Sequence, residues 1–207
     1  MAVNCYACDG GIFMDEREYL EMMKSNEPYI SHFMQAPRDL KKNASKLLKE
    51  IDLLGDGDDD KRVELYKKLF GTTQPMVVPG AGFRCENGFN IHFHGFAVIN
   101  YNVVMLDTSP INIGSGAFIA PGVCLACSGH SLVAEERNRG IGTSAPITLE
   151  DNVWIGANVT VCGGVTIGEG SVIGAGSVVI KDIPAGVVAA GNPCRVIRKI
   201  TEEDRLL

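Results

Sequence analysis

Residues 149–184, LEDNVWIGANVTVCGGVTIGEGSVIGAGSVVIKDIP, determine the fold of this 207-residue chain. Every sixth residue is aliphatic, and a fixed short period of this kind marks stacked repeat units. The column comprises Leu149, Ile155, Val161, Ile167, Ile173 and Val179. A six-residue period fits neither a helix nor a simple strand, but it fits a short strand followed by a sharp corner. Because three such units close one triangular coil, the segment predicts a mainly β protein built on a parallel β-helix of hexapeptide repeats.

The same register occurs upstream, where Ile113, Ile119 and Leu125 precede Leu149 by multiples of six residues. Residues 129–146 lose the pattern and carry charges and glycines, so they are predicted to loop out before the coil resumes in phase. Loops on a repeat scaffold commonly carry its function. The period weakens before residue 113, which predicts irregular first coils.

The whole chain divides into four predicted regions. Residues 1–14 show no periodicity and are interpreted as a flexible extension. Residues 15–75 are predicted to form a helical domain, with helices over 16–24, 37–54 and 59–70. The β-helix is predicted over 76–200, and residues 201–207 as a short cap on its open end.

Composition limits the possible partners and compartment. The net charge is −6 and the pI is near 5.2, which argues against nucleic acid or an anionic membrane as the main partner. No apolar run reaches the length of a membrane span, and no secretion signal is recognisable. Seven cysteines without such a signal indicate reduced thiols. The sequence therefore predicts a cytoplasmic protein.

Two patterns that resemble metal sites are better explained otherwise. The CxxC pairs Cys5/Cys8 and Cys124/Cys127 stand too far apart for a zinc ribbon. The acidic run 56–60 lacks the later ligands and the closing glutamate of a calcium loop, so it is interpreted as a solvated turn before a helix. No metal site is predicted.

His130 is the strongest catalytic candidate among the four histidines. It lies at the start of the looped-out segment, and a histidine with an ordinary pKa near 6.5 can act as a general base. An exposed loop histidine without a catalytic role would give the same pattern. His92 and His94 alternate on one strand and therefore share a face, where a structural role is favoured over metal binding.

Several motifs together resemble one family. They are NVWIGANVTVCGGVTIGEGSVIGAGSVVIKDIPAGVVAAGNPCRVIRKI (152–200), FRCENGFNI (83–91), INYN (99–102), SGHSLVAEERNRG (128–140) and EREYLEMMKSNEPY (16–29). This combination resembles the hexapeptide-repeat acyltransferases, and within them the maltose and galactoside O-acetyltransferase branch. The resemblance covers nearly all of the chain after residue 14. It implies a left-handed β-helix preceded by a helical domain, assembled as a homotrimer.

The resemblance also implies a reaction and its residues. An acetyl group passes from acetyl-CoA to a hydroxyl of a sugar or similar small acceptor. His130 matches the family's base, and Asn100 matches an asparagine near the reacting centre. These roles fit the chemistry, because a hydroxyl is a poor nucleophile until a base removes its proton. Hydrogen-bond donors must also stabilise the oxyanion that develops at the thioester carbonyl.

Donor and acceptor contacts follow from the same resemblance. Acetyl-CoA would lie in a groove between neighbouring prisms, contacting Ala157, Ala175, Ile180, Lys181, Arg195 and Arg198. The family often has a sugar-binding acid in the helical region, whereas residues 29–32 (YISH) contain none. Glu86 or Asp107 is proposed to contact the acceptor instead.

Three alternatives remain open from the sequence. The acceptor could be an amine, an antibiotic hydroxyl or serine instead of a sugar. The chain could also be a non-enzymatic β-helix scaffold. A zinc-dependent carbonic anhydrase of similar shape would need three well-placed histidines, for which only His92, His94 and His130 are candidates.

Overall fold

In a computed structural model of the chain, the described residues are 4–5, 14–32, 36–37, 39–74 and 76–207. The extension predicted for residues 1–14 lies almost entirely outside them, as does Cys8. The helices are α1 (Glu16–Lys24), α2 (Leu40–Asp52), α3 (Asp59–Leu69) and α4 (Ala134–Asn138), and a 3₁₀ turn spans Glu202–Asp204.

Three parallel sheets form the faces of a prism. Sheet I contains β4 (Ile91–Phe93), β7 (Ile111–Ile113), β12 (Ile147–Leu149) and β15 (Thr166–Ile167). Sheet II contains β5 (Ala97–Ile99), β8 (Ala117–Ile119), β13 (Trp154–Ile155), β16 (Val172–Ile173), β18 (Val187–Ala190) and the antiparallel β19 (Arg195–Lys199). Sheet III contains β3 (Arg84–Cys85), β6 (Val104–Leu106), β9 (Cys124–Ala126), β14 (Thr160–Cys162) and β17 (Val178–Val179). The predicted parallel β-helix is confirmed.

The predicted aliphatic column fills the prism. Its six members between Leu149 and Val179 are at most 1 % exposed, and so are Ile113, Ile119 and Leu125 upstream. Each member lies directly above its ladder partner one coil away, for example Ile155 above Ile119 and below Ile173. Stacked aliphatic side chains removed from water supply the main stabilisation of such a solenoid.

The glycines between column members serve two purposes. Gly170 has a φ of 67°, a corner conformation that side chains with a Cβ rarely adopt. Gly168 has ordinary backbone angles, but a Cβ there would lie 2.4 Å from the Ala185 nitrogen of the next coil. Some glycines therefore permit the turn, and others permit the coils to approach.

Inserted residues gather at one edge of the prism, where the chain passes from sheet III to sheet I. This connection takes six residues from Thr160 to Thr166. Between the equivalent ladder positions of the three preceding coils it takes eight residues (Arg84 to His92), eight (Val104 to Asn112) and twenty-four (Cys124 to Thr148). The extra residues fall within 86–90, 107–110 and 127–146. The irregular first coils are thus regular at two corners and enlarged at the third.

A small fourth sheet covers this enlarged edge. It contains β1 (Asn4–Cys5), β2 (Tyr29–His32), β11 (Ile141–Ser144) and β10 (Ser128–His130), in that order. The strand β2 lies in the region predicted to be helical, and the looped-out segment supplies β10, α4 and β11. The sequence gives no sign of β2, because its four residues lack alternation, and β11, which pairs with all four of them, lies more than a hundred residues away.

The helices before the prism agree with prediction except at the boundaries of α2 and at the end of α3, which is Leu69 and not the predicted Phe70. The helix α1 has the predicted bounds and a complete capping box between Asp15 and Glu18. The helix α2 begins at Leu40, not at the predicted Pro37, and its C-cap is Leu53. Buried side chains of α2 and α3 join the hydrophobic core of the prism, so these helices close its first coil.

Candidate functional site

His130 is held at the enlarged edge by the small sheet. It ends β10 and pairs with Gly142 on β11, which in turn pairs with Ser31 on β2. The strand β2 therefore fixes the β10–β11 hairpin that carries the histidine. A side chain that the sequence places on a loop is thus mounted on paired strands, which suits a group that must meet a reacting atom precisely.

A cleft of about 400 Å³ lies beside His130, and we name it the histidine cleft. The helical region supplies an apolar wall, and the prism and small sheet supply a polar wall. The lining residues are Tyr19, Met23, Tyr29, Ser31, Ala36, Pro37, Leu40, Lys41, Glu86, Asn87, Thr108, Ser128, Gly129, His130, Gly142, Thr143 and Ser144. A cleft of this size accommodates a small molecule.

Glu86 is the predicted acceptor contact that the structure brings into the histidine cleft. Its carboxylate forms an ion pair with Lys41 of α2, and its side chain is only 18 % exposed. This pair connects the helical wall with the prism wall. Sequence reasoning missed Lys41, because nothing in the sequence of α2, which contains several lysines, distinguishes the one that faces the cleft.

Asp107 does not reach the cleft. Its side chain is fully buried, and its carboxylate accepts hydrogen bonds from the backbone N–H groups of Glu86 (3.1 Å), Asn87 (2.8 Å) and Asn90 (3.3 Å). Burial raises the pKa of the Asp107 carboxyl to about 7, and the amide donors oppose that rise. In the structure Asp107 lies behind the wall formed by Glu86 and Asn87 and is not exposed to an acceptor.

Asn100 lies at a different edge of the prism. It follows β5 at the corner between sheets II and III, where its N–H donates to the Ile119 carbonyl at 2.9 Å. His130 lies at the corner between sheets III and I. The two predicted catalytic residues are therefore not brought together within one chain.

The stretch 29–32, which contains no acid, contributes hydroxyl groups to the lining of the histidine cleft. Ser31 lines the histidine cleft, and the Tyr29 hydroxyl donates to the Thr108 carbonyl at 2.6 Å. Burial raises the pKa of the Tyr29 phenol, so it remains a hydrogen-bond donor at neutral pH. Ser144 links to Thr108 at 2.6 Å and to Ser109 at 2.8 Å. These bonds tie the small sheet to the enlarged edge of the prism.

The predicted donor residues border the outer face of sheet III. Ala157 and Ala175 lie at the corner where the chain enters this sheet, and Ile180 and Lys181 follow β17 where it leaves. The side chains between these corners are small or apolar and half-buried: Val104, Leu106, Cys124, Ala126, Thr160, Cys162 and Val178.

The two predicted phosphate-binding arginines differ in their surroundings. Arg195 begins β19 of sheet II and lies next to the C-terminal end of sheet III, since the N–H of the preceding Cys194 donates to the Val178 carbonyl at 2.8 Å. Arg198 forms two hydrogen bonds of 2.7 Å to the Asp204 carboxylate. The positive charge of Arg198 is therefore compensated by a carboxylate of the same chain.

A second cleft of about 410 Å³ opens from the face of sheet III, and we name it the thiol cleft. It shares Tyr29, Ser128, Gly129, Thr143 and Ser144 with the histidine cleft. Its remaining lining residues are Pro28, Ile30, Ala126, Cys127, Ala145, Cys162 and Gly163. The small sheet therefore forms a common wall between two clefts.

The residues considered for metal binding are dispersed. His92 and His94 stack on sheet I with ring centroids 6.5 Å apart, and they contact Thr72 and Asn112. Burial, and secondly the neighbouring His94, lower the pKa of His92. In the described residues no three metal-binding side chains come together. Cys127 is buried, and burial raises its pKa to about 12.

Comparison with known proteins identifies the family. The model for bacterial transferase hexapeptide (six repeats) matches residues 146–181. The galactoside O-acetyltransferase of Escherichia coli is 44 % identical over 148 residues, which cover 70 % of this chain and 72 % of that relative. The Lactococcus lactis galactoside O-acetyltransferase is 36 % identical over 192 residues, 92 % of each chain. The chain belongs to the hexapeptide-repeat acyltransferases, in the maltose and galactoside O-acetyltransferase branch.

Solved structures agree with this assignment. A maltose O-acetyltransferase from Clostridium difficile matches with a TM-score of 0.77 and 38 % identity, covering 91 % of this chain and 99 % of the other. A galactoside acetyltransferase in complex with coenzyme A matches with a TM-score of 0.76 and 36 % identity, covering 92 % and 94 %. This hexapeptide-repeat protein is therefore an acetyltransferase. None of the helices in the described residues is long and apolar enough to cross a membrane.

Proposed function

We propose that this acetyltransferase moves an acetyl group from acetyl-CoA to a hydroxyl of a sugar or similar small acceptor, with His130 as general base. The observation that carries the proposal is the pair of clefts on the two sides of the small sheet. The acceptor enters the histidine cleft, and the thioester approaches through the thiol cleft. Both reactants then meet at the strand that ends in His130.

Acetyl transfer then proceeds directly between the two substrates, without a covalent enzyme intermediate. The imidazole of His130 takes the proton of the acceptor hydroxyl as its oxygen attacks the thioester carbonyl. The tetrahedral intermediate collapses, the acetyl ester forms, and the CoA sulfur leaves with a proton supplied by the imidazolium. Glu86, Ser31 and Asn87 offer the acceptor's other hydroxyl groups acceptors and donors of hydrogen bonds. The galactoside O-acetyltransferase relatives support a sugar in this position.

The outer face of sheet III suits the donor. Small and apolar side chains between the Ala157/Ala175 corner and the Ile180/Lys181 corner leave room for the pantetheine arm. Its phosphates would meet Lys181 and Arg195, with Arg198 further along β19. The coenzyme A complex of the related galactoside acetyltransferase supports acetyl-CoA as the donor.

A homotrimer would complete the site. Asn100 and His130 lie at different edges of one prism, so an Asn100 that stabilises the intermediate must come from a second copy of the chain. Three-fold symmetry places one edge of each prism against a different edge of its neighbour. Sedimentation of a stable, fully active monomer would contradict this part of the proposal.

The test measures release of the CoA thiol with a panel of acceptors: neutral sugars and glycosides, an amino sugar, an antibiotic alcohol and serine. We expect transfer to a sugar hydroxyl. Loss of a general base costs about 10² to 10⁴ in rate, so His130→Ala should lose that much kcat. His94→Ala, an exposed histidine outside both clefts, is the matched control. Near wild-type turnover by His130→Ala would refute the assigned role.

A further inference from the structure

We propose that Asp107 is a positioning residue for the acceptor: it fixes the wall that carries Glu86 and Asn87 without touching the acceptor. The inference rests on the proposed function, because it concerns the acceptor half of that reaction. It reassigns a carboxylate that sequence reasoning placed in contact with the acceptor.

The carboxylate of Asp107 organises the inserted segment 86–90 from behind. One oxygen accepts the N–H groups of Glu86 and Asn87, at 3.1 and 2.8 Å, and the other accepts the N–H of Asn90 at 3.3 Å. The Asp107 carbonyl accepts the side-chain amides of Asn87 (3.2 Å) and Asn90 (3.3 Å). Five hydrogen bonds therefore determine where this short segment presents Glu86.

The same residue connects the other walls of the histidine cleft. The Asn90 side chain donates to the Met23 carbonyl at 3.0 Å as well as to Asp107, so the C-terminal part of α1 is tied to this point. Thr108, the next residue in the chain, lines the cleft and accepts the Tyr29 hydroxyl. A movement of Asp107 would thus be transmitted to both the helical wall and the small sheet that holds His130.

Corner aspartates elsewhere in the prism are simpler. Asp151 is exposed, and one of its oxygens accepts a single backbone N–H, that of Ser115, at 2.8 Å. Asp107 is fully buried and accepts three. A corner needs only the simpler arrangement, so the additional bonds at Asp107 serve the inserted segment that forms the cleft wall.

The substitution Asp107→Asn tests the inference in the full-length chain. The carboxamide turns one acceptor oxygen into a donor that faces a backbone N–H, so either the Glu86 and Asn87 amides or the Asn90 amide loses its partner. We expect the acceptor KM to rise about tenfold or more, because small misplacements of binding groups are costly. The acetyl-CoA KM should stay within about twofold, since the predicted donor residues border sheet III or lie on β19, away from segment 86–90. Asp151→Asn should leave the acceptor KM unchanged.

A double substitution separates positioning from general damage. If Asp107 acts through Glu86, then adding Asp107→Asn to Glu86→Ala should change the acceptor KM much less than it does in the wild-type chain. Equal effects in both backgrounds, or a lower kcat with an unchanged acceptor KM, would overturn the inference.

Two further outcomes are decisive. If Asp107→Asn does not fold, Asn90→Ala replaces it, since Asn90 does not line the cleft. A raised acceptor KM of Asn90→Ala with a constant acetyl-CoA KM supports the inference. An unchanged acceptor KM of that variant overturns it. A wild-type chain that acetylates no acceptor of the panel overturns the proposed function and the inference with it. An active wild type with an unaltered Asp107→Asn variant overturns the inference alone.

Discussion

Neutralising Arg195 and Arg198 separately should weaken donor binding by different amounts. A charge-assisted hydrogen bond to phosphate is worth roughly 1.5 to 3 kcal/mol, and exposure to solvent favours the lower end. Since 1.4 kcal/mol is tenfold in affinity, Arg195→Ala should raise the acetyl-CoA KM about tenfold. Arg198 already donates two 2.7 Å hydrogen bonds to Asp204, so a phosphate must compete with that carboxylate. We therefore expect Arg198→Ala to raise the KM by about threefold or less.

The assay is steady-state release of the CoA thiol at saturating acceptor, at low and at high salt. Both effects should shrink as salt rises, because exposed charges are screened, and kcat should be unchanged. Asp204→Asn adds a sharp third measurement, since it releases Arg198 and should lower the acetyl-CoA KM. A larger effect from Arg198→Ala than from Arg195→Ala, or a loss confined to kcat, would refute this reasoning.

Three further predictions concern the core, alkaline pH and the thiol cleft. Ile155→Ala should lower the free energy of unfolding by about 2 to 5 kcal/mol, measured by denaturant titration, whereas Thr160→Ala on the outer face should cost much less; equal losses would contradict the stacked column. Burial raises the pKa of Tyr66 from 10.0 to about 12, so its contribution to stability is complete below pH 10 and is lost as the pH rises from 10 towards 12. The denaturation midpoint should fall over that range, and Tyr66→Phe should flatten the fall; an identical slope in the variant argues against this origin. Cys162 lines the thiol cleft, so CoA should protect it from iodoacetamide as read by mass spectrometry, and alkylation at an undiminished rate would place the donor elsewhere.

The periodic part of the fold could be predicted from the sequence because each coil requires an aliphatic side chain at the same positions. Residues such as Ile155 and Ile173 occupy equivalent positions, so a spacing in the sequence becomes a stack in space. The helix α1 was also predictable, since a capping box and a lysine mark its two ends. Both signals are local, and local signals are visible without the rest of the molecule.

The site was only partly predictable, because its walls come from distant segments. His130 and Glu86, both named from the sequence, line one cleft in the structure, but the sequence gives no reason for β2 to cover it or for Lys41 to face it. Asp107 was expected at the surface of the cleft, yet three backbone amides retain it in the interior. Whether a carboxylate faces a ligand or a backbone depends on packing that spacing alone does not encode.

The concentration of insertions at one edge of the prism has a consequence for how such a protein can change. Ladder pairing along the other two edges is unaffected by extra residues at the third, as the exact register of β7 with β12 across the inserted hairpin demonstrates. Selection can therefore lengthen or shorten segments 86–90, 107–110 and 127–146 around His130 without disturbing the coils beneath. The face of sheet III lies outside these segments, so under the proposed function a lineage can acquire new acceptors while it keeps acetyl-CoA as its donor.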